Sequence, residues 1–387
     1  MIPVTEALDR LFALVRPLEV EEVPLLAAHG RVLASDVAAR RDQPPFAASA
    51  MDGYAVVSAS VGERLSVIGE SAAGHGFGGA VAAGQAVRIF TGAPVPQGAT
   101  RVVIQEDVTR EGGEIVVNEV EPGTNIRPAG TDFLTGTLIT APRVITPNDI
   151  ALMASMNIAR VPVTRRPKVA LISTGDELVM PGETPGPDQI IASNTFGLHA
   201  LLRDLGAEPR LLPIARDNEP SLKSAFGLID DADLVITIGG ASVGDHDLVG
   251  AVAQDLGMER AFYKVAMRPG KPLMSGRLGD AMMIGLPGNP VSAMVCGHVF
   301  VAPVIRAMLG LGAAPAARLT APLAEGIAAN GPREHYMRAR LDAEGITSFE
   351  RQDSSLLSVL GAANALLIRP VGDPARQAGE VVEYLPL

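Results

Sequence analysis

Between positions 168 and 293 three short apolar runs each pass straight into a glycine-rich loop carrying carboxylates, hydroxyls or prolines. Residues 169–173 lead into Thr174-Gly175-Asp176-Glu177, residues 234–238 into the loop 239–247, and residues 282–284 into the stretch 285–293. Near-continuous apolar runs bounded by turn residues and separated by helix-period segments predict buried parallel strands. In an open α/β sheet the loops leaving the carboxyl ends of such strands line the ligand crevice, so a nucleotide-like binding site is expected there.

A chain of 387 residues exceeds one ordinary core, and roughly two to four domains are expected. Only 4% of residues are aromatic, none is Trp, and the formal net charge is -11, a balance that opposes nucleic acid as a partner. The lone Cys296 cannot form an intramolecular disulfide and sits in an apolar stretch expected to be buried, which fits a cytoplasmic location. The first residues read as an amphipathic helix and not as a secretory signal. The apolar segment 291–305 contains His298 and Pro303 and reads as a core helix; no membrane span is expected.

The residue pattern predicts an α/β multi-domain chain. It has a doubly wound, mostly parallel sheet domain, an inserted small β domain, a discontinuous mixed α/β segment and a C-terminal β domain. Leu8, Leu11, Phe12 and Val15 share a helical face over 5–15, ended by Pro17, and a second short helix fits 25–33. Short β-branched runs at 65–68, 86–89, 102–104 and 115–117 predict the β domain. A helix over 149–156 should stop at a left-handed Asn157, and a strand over 158–163 should pair with the head of the chain. The expected boundaries are 1–40 with 140–165, then 41–139, 166–313 and 314–387.

Glu177, Asp176, Asp217, Asp245 and Asp247 lie where strands give way to loops. Singly each reads as a helix cap; as a set converging on one sheet edge they suit Mg²⁺, which prefers oxygen ligands. Gly239, Gly240 and Gly244 would let the backbone present N–H groups to an oxyanion, although turn glycines explain them equally well when taken alone. Lys264, Arg268 and Lys271 place three cations on a loop stiffened by Pro269, Gly270 and Pro272, suited to phosphate or another tetrahedral oxyanion. At the 286–293 junction Pro290 can open a helix, leaving Ser292 and nearby amides to face a ligand. The six histidines have no zinc spacing, and no G-x-S-x-G elbow is present. His246 reads as a loop-filling residue. In the β domain, the turn clusters 48–55, 90–96 and 125–132 suggest an interface role.

Taken together, SAMDGYA at 49–55, TGAPVP at 91–96, STGDEL at 173–178, GGASVGDHD at 239–247, RPGKP at 268–272 and LPGNPVSA at 286–293 resemble the molybdopterin molybdenumtransferases, which include the bacterial MoeA proteins and the E domain of gephyrin. The resemblance runs over nearly the whole chain. It implies molybdenum cofactor biosynthesis: insertion of molybdate into adenylylated molybdopterin with release of AMP, assisted by Mg²⁺. It also implies a homodimer in which the β insertion of one subunit closes the site of the other, with room for an adenylyltransferase partner and molybdoenzyme acceptors. Carried over by motif, Glu177, Asp217 and Asp247 act on metal and molybdate, Lys264, Arg268 and Lys271 on anionic charge, and Asp52 and Thr91 come from the partner chain. Thr174, Gly175, Asp176, Gly239, Gly240, Ser242, Gly244, Pro287, Gly288, Asn289, Pro290 and Ser292 shape the substrate pocket, with Asp132, Arg338 and Ser354 contributing from outside the α/β region. The sequence departs from the pattern at Thr131, Ala241, His246 and Ser355. Two other readings stay open: a molybdopterin adenylyltransferase, and a non-catalytic scaffold on the same fold.

Overall fold

The computed structural model describes residues 1–240 and 248–387. The chain divides into two compact units, Met1–Glu21 with Thr164–Leu387, and Glu22–Val163.

In the larger unit a six-stranded sheet runs in the order Glu208–Leu211, Lys168–Ser173, Leu234–Ile238, Ala281–Leu286, Met274–Leu278, Glu259–Tyr263. The first four strands are parallel and the last two antiparallel to their neighbours. All three expected strands are present, and all five residues of Leu234–Ile238 are buried. Because side chains alternate across a strand, Ala170, Ile172, Val235 and Met283 face one side, packed with Leu222, Phe226, Val249 and Val252 of two covering helices. On the other side the helix Asn194–Asp204 packs against Pro290–Cys296. Each fully buried Val, Leu or Ile contributes about 1.5–3 kcal/mol. The chain steps from Lys168–Ser173 outward to Glu208–Leu211 and then crosses to Leu234–Ile238. That reversal opens a crevice between the carboxyl ends of the two inner strands.

The helix that follows the third glycine loop runs 19 residues, Pro290–Met308, and is long and apolar enough to cross a membrane, yet 72% of its apolar window is buried in the protein, as expected of a core helix. A π turn at Gly297–Val301 precedes Pro303, so the helix continues through a residue that lacks an N–H. Cys296 is buried. A second sheet holds Glu334–Asp342, Ala365–Arg369, Val381–Pro386 and Leu319–Pro322. Gly345–Ser348 pairs with the first of these, and the sixth strand, Met267–Arg268, comes from the α/β segment and lies parallel to Glu334–His335.

The smaller unit carries a six-stranded sheet in the order Arg101–Ile104, Gly53–Val56, Gln85–Ile89, Arg64–Ser71, Glu114–Val117, Val108–Glu111. Its core includes Tyr54, Val56, Leu65, Val103 and Ile115. The helix Pro147–Ser155 begins with a reciprocal Thr146–Asp149 capping box and ends at Asn157, which adopts the expected left-handed conformation (φ 62°). Two expectations are corrected. The helix over 25–33 is one 3₁₀ turn, Leu25–Ala27, followed by the strand Val32–Leu33, because pairing with Arg143–Val144 and Val163 overrides local propensity. The first helix spans Val4–Phe12 and stops short of Val15 and Pro17.

Candidate active site

A cavity of about 720 Å³ opens at the crevice where the strand order reverses, within the size range of small-molecule sites. Ser173, Thr174, Gly175 and Glu177 line it from the first strand end, Ile238, Gly239 and Gly240 from the second, and Pro287, Gly288, Asn289 and Pro290 from the third. The three glycine loops thus meet around one space. Gly239 is required there: its φ is +95°, and a Cβ would stand 2.6 Å from the Thr174 carbonyl oxygen. The Gly239 N–H donates to the Leu286 carbonyl at 3.2 Å and the Thr174 N–H to that of Ile238 at 3.0 Å, so the loops are tied at their roots.

Glu177 and Asp217 both line this cavity, although 40 positions apart, and neither carboxylate has a cation partner among the described residues. The helix-cap reading fails for Asp217. The next residue, Asn218, caps the helix Glu219–Phe226 by accepting from the Ser221 N–H at 3.0 Å. Asp176 is outside the cavity lining, and its Oδ1 accepts from the Asp217 N–H at 3.2 Å. Asp247, Ser242 and Gly244, with Asp245 and His246, lie outside the described residues. Among the described residues no group of three or more His, Cys, Asp or Glu could hold a metal ion.

The third loop is fastened from two directions. Asn289 precedes the helix that Pro290 opens, and its Nδ2 donates to the Ser354 hydroxyl at 3.1 Å. The Val291 N–H donates to the Ser354 carbonyl at 3.0 Å, and Asn194 Nδ2 donates to the Gly288 carbonyl at 2.7 Å. Ser354 therefore serves as an anchor, while its neighbour Ser355 lines the cavity. Ser292, expected to face a ligand, is buried and outside the cavity lining, because the first helical turn aims it into the packed face.

The basic loop contributes one residue to the cavity lining. Pro272 reaches the lining, but Lys264, Arg268 and Lys271 do not. Lys264 holds a left-handed backbone (φ 71°) with its ammonium 4.9 Å from the centre of the Tyr263 ring. Arg268 joins the tail strand in register with His335. There, Arg338 is wholly buried, and its Nε and Nη1 have no partner among the described residues; the buried His335 Nε2 is likewise unpartnered. Burial, aided by Arg268, pushes the Arg338 guanidinium down to about 10. Burial and then Arg268 and Arg338 push the His335 imidazole down to about 4. The result is a buried cation, Arg338, with the exposed Arg268 near it.

In the smaller unit Asp52 Oδ1 accepts from both the N–H and the hydroxyl of Thr91, each at 2.7 Å, so the two residues form one group. These two bonds, the backbone one foremost, hold the Asp52 carboxyl below the usual carboxylate range. Asp132 is exposed, and its N–H donates to the Gln43 carbonyl at 2.9 Å.

Sequence reasoning missed several participants. Asn194 opens a helix in the cavity wall, and the Ser193-Asn194 start signal could have revealed it. Arg216 braces the first loop through the Asp176 carbonyl at 2.9 Å. The exposed Ile190 and Ile191 give the cavity an apolar lip, a feature without a sequence signature. His335 is recognisable only once its strand is paired.

Fold and site together define a class: α/β proteins that bind a small molecule at the strand-order reversal of a mostly parallel sheet. Comparison with known proteins narrows it. Residues 2–157 match the MoeA N-terminal region (domain I and II), residues 170–307 the probable molybdopterin binding domain, and residues 320–387 the MoeA C-terminal region (domain IV). A molybdopterin molybdenumtransferase from Nostoc sp. is 36% identical over 411 aligned residues, covering 100% of this chain and 94% of the relative. One from Haemophilus influenzae is 41% identical over 300, covering 76% and 74%. The crystal structure of the molybdopterin biosynthesis MoeA protein from Pyrococcus horikoshii OT3 superposes with a TM-score of 0.85 at 29% identity, over 100% of both chains. The chain belongs to the molybdopterin molybdenumtransferase family, transferases of molybdenum cofactor biosynthesis. The match across head, α/β domain and tail favours this activity over that of an adenylyltransferase.

Proposed function

We propose that the cavity at the sheet edge binds adenylylated molybdopterin, accepts molybdate as second substrate and releases AMP, with Mg²⁺ as the assisting ion. The observation that carries this reading is the meeting of Glu177 and Asp217 in one cavity without a cation partner. Two such carboxylates are a hard-oxygen donor set that fits Mg²⁺, and Asp247 would complete it. When bound, that ion supplies positive charge between two anionic substrates. Glu177 and Asp217 hold and orient it. The glycine loops bring backbone against the substrate, and Ile190, Ile191, Pro287 and Pro290 exclude water from one wall. Arg338, with its unpartnered N–H groups, offers a fixed donor for an oxyanion, with Arg268 adding positive charge beside it. Rate then comes from positioning and preorganised charge, and no covalent nucleophile is required.

A homodimer in which Asp52 and Thr91 of one subunit complete the site of the other, working in the cytoplasm, is part of the same reading. Its support is the Asp52–Thr91 group, whose carboxylate is held ionised at an accessible turn. The test supplies adenylylated molybdopterin, molybdate and Mg²⁺ to the pure protein and follows AMP. AMP release that requires both molybdate and Mg²⁺ is expected; release indifferent to molybdate, or none at all, overturns the reading. Feeding ATP and molybdopterin instead should yield no adenylylated pterin. A scaffold would be indifferent to Asp247→Ala, whereas the enzyme should stay folded and lose AMP release.

A further inference from the structure

The geometry points to Arg88 as a positioning residue that holds the Asp52–Thr91 group in its working arrangement. The inference rests on the reading that Asp52 and Thr91 serve the reaction, and it adds a residue that no motif singled out.

Asp52 immediately precedes the strand Gly53–Val56, and Thr91 follows the strand Gln85–Ile89 by two residues. These strands pair antiparallel, with Gly53 opposite Ile89 and Tyr54 opposite Arg88. From that position the Arg88 guanidinium bridges both strand ends. Its Nη1 donates to the Gly53 carbonyl at 3.1 Å, and its Nη2 donates to Gln105 Oε1 at 2.7 Å. The Gln105 N–H in turn donates to the Asp52 carbonyl at 3.0 Å, and Gln105 Nε2 donates to Glu106 Oε1 at 3.2 Å. Two successive carbonyls, of Asp52 and Gly53, are therefore fixed through one cation.

The guanidinium carbon lies 5.1 Å from the centre of the buried Tyr54 ring and 4.7 Å from that of Phe90, the residue next to Thr91. The planar cation thus grips the Thr91 side through the ring and the Asp52 side through the carbonyls. The backbone cannot relax away from this grip. A Cβ at Gly53 would stand 2.0 Å from the Val103 carbonyl oxygen, so the neighbouring strand is already in contact. Both Thr91 bonds fall on Asp52 Oδ1, and Oδ2 has no partner among the described residues. Held this way, Oδ2 is a fixed acceptor. The Arg88 charge also adds to the two Thr91 hydrogen bonds in favouring the ionised carboxyl.

A stack that merely stabilised the ends of these two strands would affect melting and nothing else, so the test reads function and titration together. In full-length protein, molybdate-dependent AMP release and the ¹³C-detected titration of the Asp52 carboxyl are compared for the parent, Arg88→Met, Arg88→Lys, Asp52→Asn and the Arg88→Met/Asp52→Asn double variant. Arg88→Met should lower kcat by roughly 100-fold with KM unchanged and raise the Asp52 pKa. Arg88→Lys, which keeps charge but loses the fork, should recover part of that rate. The double variant should be no slower than Asp52→Asn alone, since both changes act on one group. If Asp52→Asn is slow while Arg88→Met matches the parent, or if the two losses multiply, the positioning role is overturned. If Asp52→Asn turns over at the parent rate, the reading beneath it falls, and the inference falls with it. Should Arg88→Met fail to fold, Arg88→Lys decides: a reduced kcat supports the role and a parental kcat overturns it.

Discussion

Two regions of the larger unit carry charge without a direct ion-pair partner among the described residues, with opposite sign and opposite exposure. At the sheet edge Glu177 and Asp217 are exposed and lack cation partners; in the tail Arg338 is fully buried with two unpartnered nitrogen atoms, and Arg268 lies near it. An exposed carboxylate costs the fold little, because water solvates it until a ligand arrives. A buried, partly unpartnered guanidinium costs several kcal/mol unless something occupies the space beside it. The contrast implies that the acidic edge can be altered with little effect on stability, whereas the buried cation opposes stability, and a binding role is the proposal that would account for it.

The sharpest way to break that contrast is Arg338→Met, which keeps volume and removes the charge. Turnover should fall roughly 100- to 1000-fold while the melting temperature holds or rises. A large drop in stability with little change in turnover would make Arg338 a structural residue. At the other region Glu177→Gln and Asp217→Asn should each lower turnover roughly 100-fold and move unfolding free energy by no more than about 0.5 kcal/mol. Parental turnover in either would remove that carboxylate from the site.

A smaller effect concerns His335, whose imidazole is held down at about 4 against an ordinary 6.5. The unfolded chain binds the proton first as pH falls, so stability contributed by the neutral form is complete above about 6.5, declines below it and is gone below about 4. The whole span corresponds to at most about 3–4 kcal/mol. Urea midpoints measured across this range should slope for the parent and flatten for His335→Gln. A parental slope in the variant would place the titration elsewhere.

Much of this arrangement was legible in the sequence. Three apolar runs ending in glycine loops gave three adjacent parallel strands, since buried strands need continuous apolar character and close loops need small residues. The same reasoning brought Glu177, Asp217, Gly239 and Pro287 to one cavity. Other features depend on long-range pairing that local pattern does not encode. The strand Val32–Leu33 forms because Arg143–Val144 and Val163 lie on either side of it. Lys264, Arg268 and Lys271 read as one basic cluster; backbone bonds do hold Val265 against Lys271, but a short strand ties Arg268 to the tail sheet, a pairing that local pattern does not encode. Arg88 was invisible for a similar reason, being one charged residue in a β-run until its register with Tyr54 is known.

The strand Met267–Arg268 belongs by sequence to the α/β segment and by hydrogen bonding to the tail sheet. The tail of the chain is therefore sewn to its neighbour through a shared edge. Removing it would bare unsatisfied amides and carbonyls beside the basic loop and strip away the buried side of Arg268's surroundings. Gene rearrangements that exchange tails between members of this family would have to bring a matching edge along with them, so inheritance should treat the two pieces as one.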